Sequence, residues 1–101
     1  MIIGVTADGP TLESNISMMA ARAPYFLIIE KNGEEIKLRE AIQNTWMGRG
    51  AGPRAAQTFI SHGVEVVITS RAGPNFQALL ENSGVRIVQA TGRVIDAVKQ
   101  L

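Results

Sequence analysis

Ile2, Ile3 and Val5 open the chain as a short apolar strand that stops at the turn cluster Asp8-Gly9-Pro10. Thr11 to Ala23 predicts a long loop with a helical turn around Ser17 to Ala21, and a loop of that length in a small domain is usually functional or mobile. Tyr25-Phe26-Leu27-Ile28-Ile29 is a continuous apolar run, the pattern of a strand covered on both faces. Asn32-Gly33 then supplies a two-residue hairpin turn. Beyond it, Ile36 and Leu38 alternate with Glu35, Lys37 and Arg39, which predicts an edge strand wet on one face. A second loop, Asn44 to Gly50, carries Trp46, Met47 and Arg49.

From there the pattern changes to helical spacing and repeats. Ala51-Gly52-Pro53 leads through one helix into Gly63 to Val67, and Ala72-Gly73-Pro74 leads through another into Gly84 to Val88, with an offset of 21 residues at every shared position. Proline at the first helical position loses no needed N–H, and glycine just past the last turn accepts the left-handed conformation that closes a helix. Matched residues at matched spacing predict the same strand-to-helix transition in both copies. The first helix buries Ala56, Phe59 and Ile60, the second Phe76, Leu79 and Leu80, each at i, i+3, i+4 spacing. Their strands are Val64–Thr69 and Val85–Gln89, and a last helix from about Arg93 places Val94, Ile95, Val98 and Leu101 on one stripe. The order β-β-β-α-β-α-β-α is that of a three-layer α/β domain with a mixed sheet, the second strand running against the others.

This topology places the loops. The loops after strands one, three, four and five open at one edge, where the second strand starts, and open α/β sheets bind ligands at that edge. Arg22, Arg49, Arg54, Arg71 and Arg93 fall on or next to it, with Asp8, Glu13 and Asp96 as its acidic residues, while Glu30, Glu34, Glu35, Glu65 and Glu81 lie toward the opposite end. A net charge of +1 therefore conceals a dipole, positive at the binding edge. Helix N-termini add partial positive charge there, and arginine outnumbers lysine seven to three, which suits bidentate recognition of oxygen anions.

Composition removes several function classes. At 101 residues and 46% hydrophobic the chain suits one compact soluble domain, 1–101, with cytoplasmic location as the expectation. No apolar run reaches the roughly 18–20 residues of a membrane span, and the near-neutral balance is unlike a dedicated nucleic-acid binder. Without cysteine and with His62 as the lone histidine, on the far edge, no zinc or iron–sulfur site can be assembled from the strong ligands. No triad motif and no carboxylate cluster for two-metal phosphoryl transfer is present, so no enzymatic activity is expected. Met18, Met19 and Met47 all lie in the two rim loops with Trp46; exposed together they would form a patch for a partner.

Three blocks carry a resemblance. Ser14-x-x-Ser17 followed by Arg22-Ala23-Pro24-Tyr25-Phe26, then Gly50-Ala51-Gly52-Pro53-Arg54-Ala55-Ala56-Gln57, then Gly73-Pro74-Asn75, resembles the nitrogenase accessory factor family, also called dinitrogenase iron–molybdenum cofactor-binding proteins, over nearly the whole chain. The resemblance implies a ribonuclease-H-like fold with sheet order 3-2-1-4-5, strand 2 antiparallel. It also implies binding or carriage of the iron–molybdenum cofactor or its iron–sulfur precursor, with cofactor-assembly proteins as partners. The fold's relation to nucleases carries no activity over, because the acidic site is absent. Where the family often has His-Phe-Gly, this chain reads Met19-Ala20-Ala21, and the cysteine or histidine often seen in the glycine-rich loop is missing.

The sequence thus reads as a non-enzymatic binding domain for an anionic metallocluster. Arg22, Arg49 and Arg54 are expected to pair with the anion, Gly50 and Gly52 to allow backbone approach, and Met19 to stand in the histidine position. A protein-interaction module that docks a partner through the Met/Trp loops, without cofactor, is the alternative. Thr11 to Ala23 and Asn44 to Gly50 are expected to be the least ordered segments.

Overall fold

A computed structural model describes residues 1–46 and 48–101; Met47, expected in the second rim loop, lies outside the described residues. Its strands are β1 Ile2–Ala7, β2 Tyr25–Asn32, β3 Glu35–Gln43, β4 Val66–Thr69 and β5 Arg86–Gln89, and its helices are α1 Ala51–Ser61, α2 Pro74–Asn82 and α3 Val94–Lys99. One sheet runs in the order β3-β2-β1-β4-β5. β2 is antiparallel to both β1 and β3, and β1, β4 and β5 are parallel, as the pattern and the resemblance predict. Among the described residues no helix is long and apolar enough to cross a membrane.

Strand alternation divides the core between the two faces of the sheet. Phe26, Ile28 and Val67 face α1 and α2, where Phe59, Phe76 and Leu80 fill the layer. Ile3, Val5, Leu27, Ile29 and Ile68 face the other side, which Val94 and Val98 of α3 cover together with Ile16. Phe59 lies edge-on to Phe26, ring centroids 5.2 Å apart, and seats on Gly4, where any Cβ would fall 2.3 Å from the ring.

The two repeats end alike and start differently. Gly63 (φ 70°) and Gly84 (φ 79°) are left-handed. In each copy the amide of the next valine returns to the carbonyl five residues back, Val64 to Phe59 and Val85 to Leu80, which satisfies a carbonyl of the last turn. The starts do not match the expectation. Pro74 is the first residue of α2 behind Gly73, but α1 begins two residues before Pro53, behind Gly50 at φ 83°. The cause is the residue 21 positions on from Gly50, Arg71, whose side chain disfavours that conformation, and the short passage from Thr69 leaves no length for an extra turn. Pro53 is still within the first turn, where a missing N–H costs nothing.

Two other segments depart from expectation. The hairpin loop is Gly33-Glu34, one residue later than Asn32-Gly33, because Asn32 stays paired with Glu35 and Gly33 takes the left-handed position at φ 62°. Thr11 to Ala23 is tied down rather than loose. Its Ile16 amide donates to the Gly92 carbonyl at 2.7 Å and its Ser17 amide to Thr6 at 2.9 Å, while its Ser14 and Leu12 carbonyls accept the Val94 and Ile95 amides at the start of α3.

Candidate functional site

β4 and the end of β3 deliver the chain to one rim, and two helices start there side by side. An α-helix leaves its first amides without carbonyl partners inside the helix. At α1 the first bond closed is Arg54 to Gly50, so the Gly52 amide has no partner among the described residues; at α2 it is Gln77 to Gly73, so the Asn75 and Phe76 amides have none there either. The two starts touch at Gly52, where a Cβ would lie 3.5 Å from both the Phe76 amide nitrogen and Cβ. Hydrogen in place of a side chain leaves that junction open.

An open cleft of about 650 Å³ lies over this junction. Gly50, Gly52 and Pro53 of α1 form one wall, and Arg71, Gly73, Pro74 and Asn75 form a second. The third is a short 3-10 turn at Ala20–Arg22 with Met19 before it. Ala20 opens that turn at φ 55°, a strained value for alanine, while buried. The turn aims Met19 and Arg22 at the cleft.

Five of the six residues singled out by sequence meet here: Met19, Arg22, Arg49, Gly50 and Gly52 all line the cleft. Arg54 does not. Its guanidinium stacks over the Trp46 ring, 4.9 Å from the centroid, and it faces a separate shallow groove along α1 with Gln57, Thr58 and Ser61. Arg71 is the residue that the choice of site residues omitted. The signal for it is its place immediately before the second Ala-Gly-Pro, matching Gly50 in the first copy. Its backbone is held from inside the sheet: the buried Thr6 hydroxyl donates to Thr69 Oγ1, which donates to the Arg71 carbonyl, both at 2.9 Å.

The rim charges sort themselves into used and unused. Arg93 is taken: its guanidinium binds Asp96 at 3.1 Å and Glu13 at 3.0 Å. The hydrogen bonds to Asp96, and then the charges of Asp96 and Glu13, hold Arg93 still more firmly protonated than usual. Arg22, Arg49 and Arg71 make no ion pair among the described residues. Three arginines with no ion-pair partner among the described residues and two helix starts therefore line one cleft, an arrangement suited to an anion.

The donor set decides what kind of bond the cleft can make. Among the described residues no group of three His, Cys, Asp or Glu side chains is placed to hold a metal. His62 sits at the far end of α1, hydrogen-bonded to the Thr58 carbonyl at 2.7 Å and 3.4 Å from Glu40, a capping arrangement. Met19, 54% exposed, is the only soft donor among the described lining residues. Direct ligation of iron or molybdenum does not fit these residues; hydrogen bonding to the outer atoms of an anion does.

Comparison with known proteins agrees with this fold. The sequence pattern of the family described as dinitrogenase iron-molybdenum cofactor matches residues 1–101. An uncharacterized protein of Methanocaldococcus jannaschii is 28% identical over 89 residues, covering 86% of this chain and 75% of that one. The apo form of the orange protein from Desulfovibrio gigas is similar in structure with a TM-score of 0.83 at 28% identity, over 98% of this chain and 84% of that one. A Thermotoga protein solved by NMR and described as belonging to the DUF35 family has a TM-score of 0.72 at 30% identity, over 96% and 83% of the two chains.

Proposed function

The chain belongs to the dinitrogenase iron-molybdenum cofactor family, and from that premise we propose that it is a small non-enzymatic carrier of an anionic metallocluster, of the iron–molybdenum cofactor or iron–sulfur precursor type. The observation that carries this reading is the cleft lined by Arg22, Arg49 and Arg71, which have no ion-pair partner among the described residues, around two adjoining helix starts. The cluster is cargo here, not a resident cofactor. Guanidinium N–H groups and the free amides of Gly52, Asn75 and Phe76 hold its outer oxygen or sulfur atoms, and no side chain has to be displaced from metal when the cargo leaves. Gly50 and Gly52 let it approach the backbone, and Met19 lends soft, adaptable apolar surface to the wall.

Exposure at the same rim supports a role for assembly proteins in loading and unloading. Met18 is 65% and Trp46 45% exposed, beside a cleft that opens to solvent. A module that docks a partner through these side chains without any cargo is the competing reading.

Protein purified without oxygen, analysed for iron and molybdenum and by visible spectrum, separates the two. Stoichiometric metal, or stoichiometric uptake of isolated iron–molybdenum cofactor by the purified chain, supports the carrier. Metal-free protein that takes up none of the isolated cofactor, iron–sulfur clusters or molybdate leaves the docking module.

A further inference from the structure

The β3–α1 loop carries Arg49 and Gly50 to the cleft, and two side chains brace it. Asn44 follows β3, and its amide group donates to the Ala23 carbonyl at 2.9 Å and the Ala21 carbonyl at 3.4 Å, on either side of Arg22. The Asn44 Oδ1 accepts the Trp46 amide at 3.0 Å. Trp46 then closes the circuit: its indole Nε1–H donates to the Arg49 carbonyl at 2.8 Å, and its ring face takes the Arg54 guanidinium at 4.9 Å. Each contact is ordinary, but their order is not arbitrary. They run from the turn bearing Arg22 to the loop bearing Arg49, so that two separate walls of the cleft are joined through side chains.

We propose that Asn44 and Trp46 are positioning residues that set Arg49 against Arg22, and that Arg54 serves as the cation under which the indole is clamped rather than as a contact to the anion. This rests on the reading of the cleft as an anion receptor. An exposed indole held by only one hydrogen bond would swing between rotamers. The guanidinium on its face and the carbonyl at its edge hold it from two directions. Arg49 then meets its ligand from a preset backbone rather than paying to order a loop at the moment of binding.

The test is a double-mutant cycle on the whole chain, with isolated iron–molybdenum cofactor as probe under argon. Trp46→Phe keeps a ring beneath Arg54 but removes the donor to Arg49; it should weaken binding about three- to tenfold with little change in melting temperature, and Asn44→Ala more. In an Arg49→Ala background Trp46→Phe should have almost no further effect, because the residue through which it acts is gone. Equal losses in both backgrounds would overturn the proposal while leaving the receptor intact. A wild-type chain that binds no probe overturns the receptor reading and this proposal with it. Hydrogen exchange of the Trp46 indole N–H in the ligand-free protein gives a readout without cargo: protection in wild type that is lost in Arg54→Ala is expected, and exchange as fast as a free indole shows that no latch exists.

Discussion

An alanine at Gly52 places its methyl in ordinary contact, 3.5 Å, with the Phe76 Cβ and amide nitrogen. Nothing has to move, and replacing a helical glycine by alanine stabilises by about 0.5–1 kcal/mol. Yet the methyl covers an amide that has no other partner among the described residues, so Gly52→Ala is expected to raise the melting temperature while weakening binding of isolated iron–molybdenum cofactor roughly tenfold, a 1.4 kcal/mol loss. Gly50, two residues earlier, behaves oppositely. No neighbour lies within 4 Å of its missing Cβ, but φ is 83°, and alanine there should cost about 1–2 kcal/mol in denaturant unfolding. Glu30, at the far end of the sheet, has its carboxyl held below its ordinary value by the Asn32 amide and then by the Arg39 guanidinium. Its contribution is therefore present above the unfolded value of about 4.3 and lost as pH falls through the lower folded value. Glu30→Gln should therefore be less stable than wild type near neutrality, the two converging as pH falls through the lower folded value, and a difference that persists unchanged into acid would count against the assignment.

At the scale of elements, most of the order was legible because it rests on local rules. Apolar runs gave the strands, i, i+3, i+4 spacing gave α1 and α2, and Gly63 and Gly84 marked the helix ends that the structure shows. Features governed by distant contacts were not legible. The start of α1 depends on Gly50 taking a left-handed conformation two residues ahead of the apparent Ala-Gly-Pro signal, and Arg54 is withdrawn from the cleft by an indole on a neighbouring loop. Thr11 to Ala23 has no period of its own because its amides pair with β1 and with the turn before α3. Hydrogen exchange checks this directly: the Ile16 and Ser17 amides should be protected nearly as well as those of β1, and rapid exchange would show the segment to be detached. The contact of β1 with α1 has its own test. Gly4→Ala drives a methyl to 2.3 Å from the Phe59 ring, an overpacking that should cost about 1–3 kcal/mol. Phe59→Leu in the same chain should recover part of that loss, since the smaller side chain vacates the space.

For the molecule as a whole, a net charge of +1 hides a division of labour among the rim arginines. Arg22, Arg49 and Arg71 line the cleft without acidic partners among the described residues, Arg93 is spent on Glu13 and Asp96, and Arg54 lies on Trp46. The field at the mouth should therefore come from the first three, with the helix starts behind them. Alanine substitutions ought to fall into separate classes. Each of Arg22→Ala, Arg49→Ala and Arg71→Ala removes charge-assisted bonds of about 1.5–3 kcal/mol to an anion, so each should weaken binding of isolated iron–molybdenum cofactor some ten- to a hundredfold. Their melting temperatures should barely change, since exposed substitutions usually stay within about 0.5 kcal/mol. Arg93→Ala should do the reverse: it unties α3 from the segment carrying Glu13, lowering the melting temperature slightly while leaving affinity alone. Salt provides the cross-check. Raising ionic strength from 0.05 to 0.5 M shortens the screening length to a few ångströms, so wild-type affinity should fall steeply and that of the three cleft variants less so. If all four arginines behaved alike in both affinity and salt dependence, the cargo would be responding to overall charge, and the cleft would lose its claim to be the receptor.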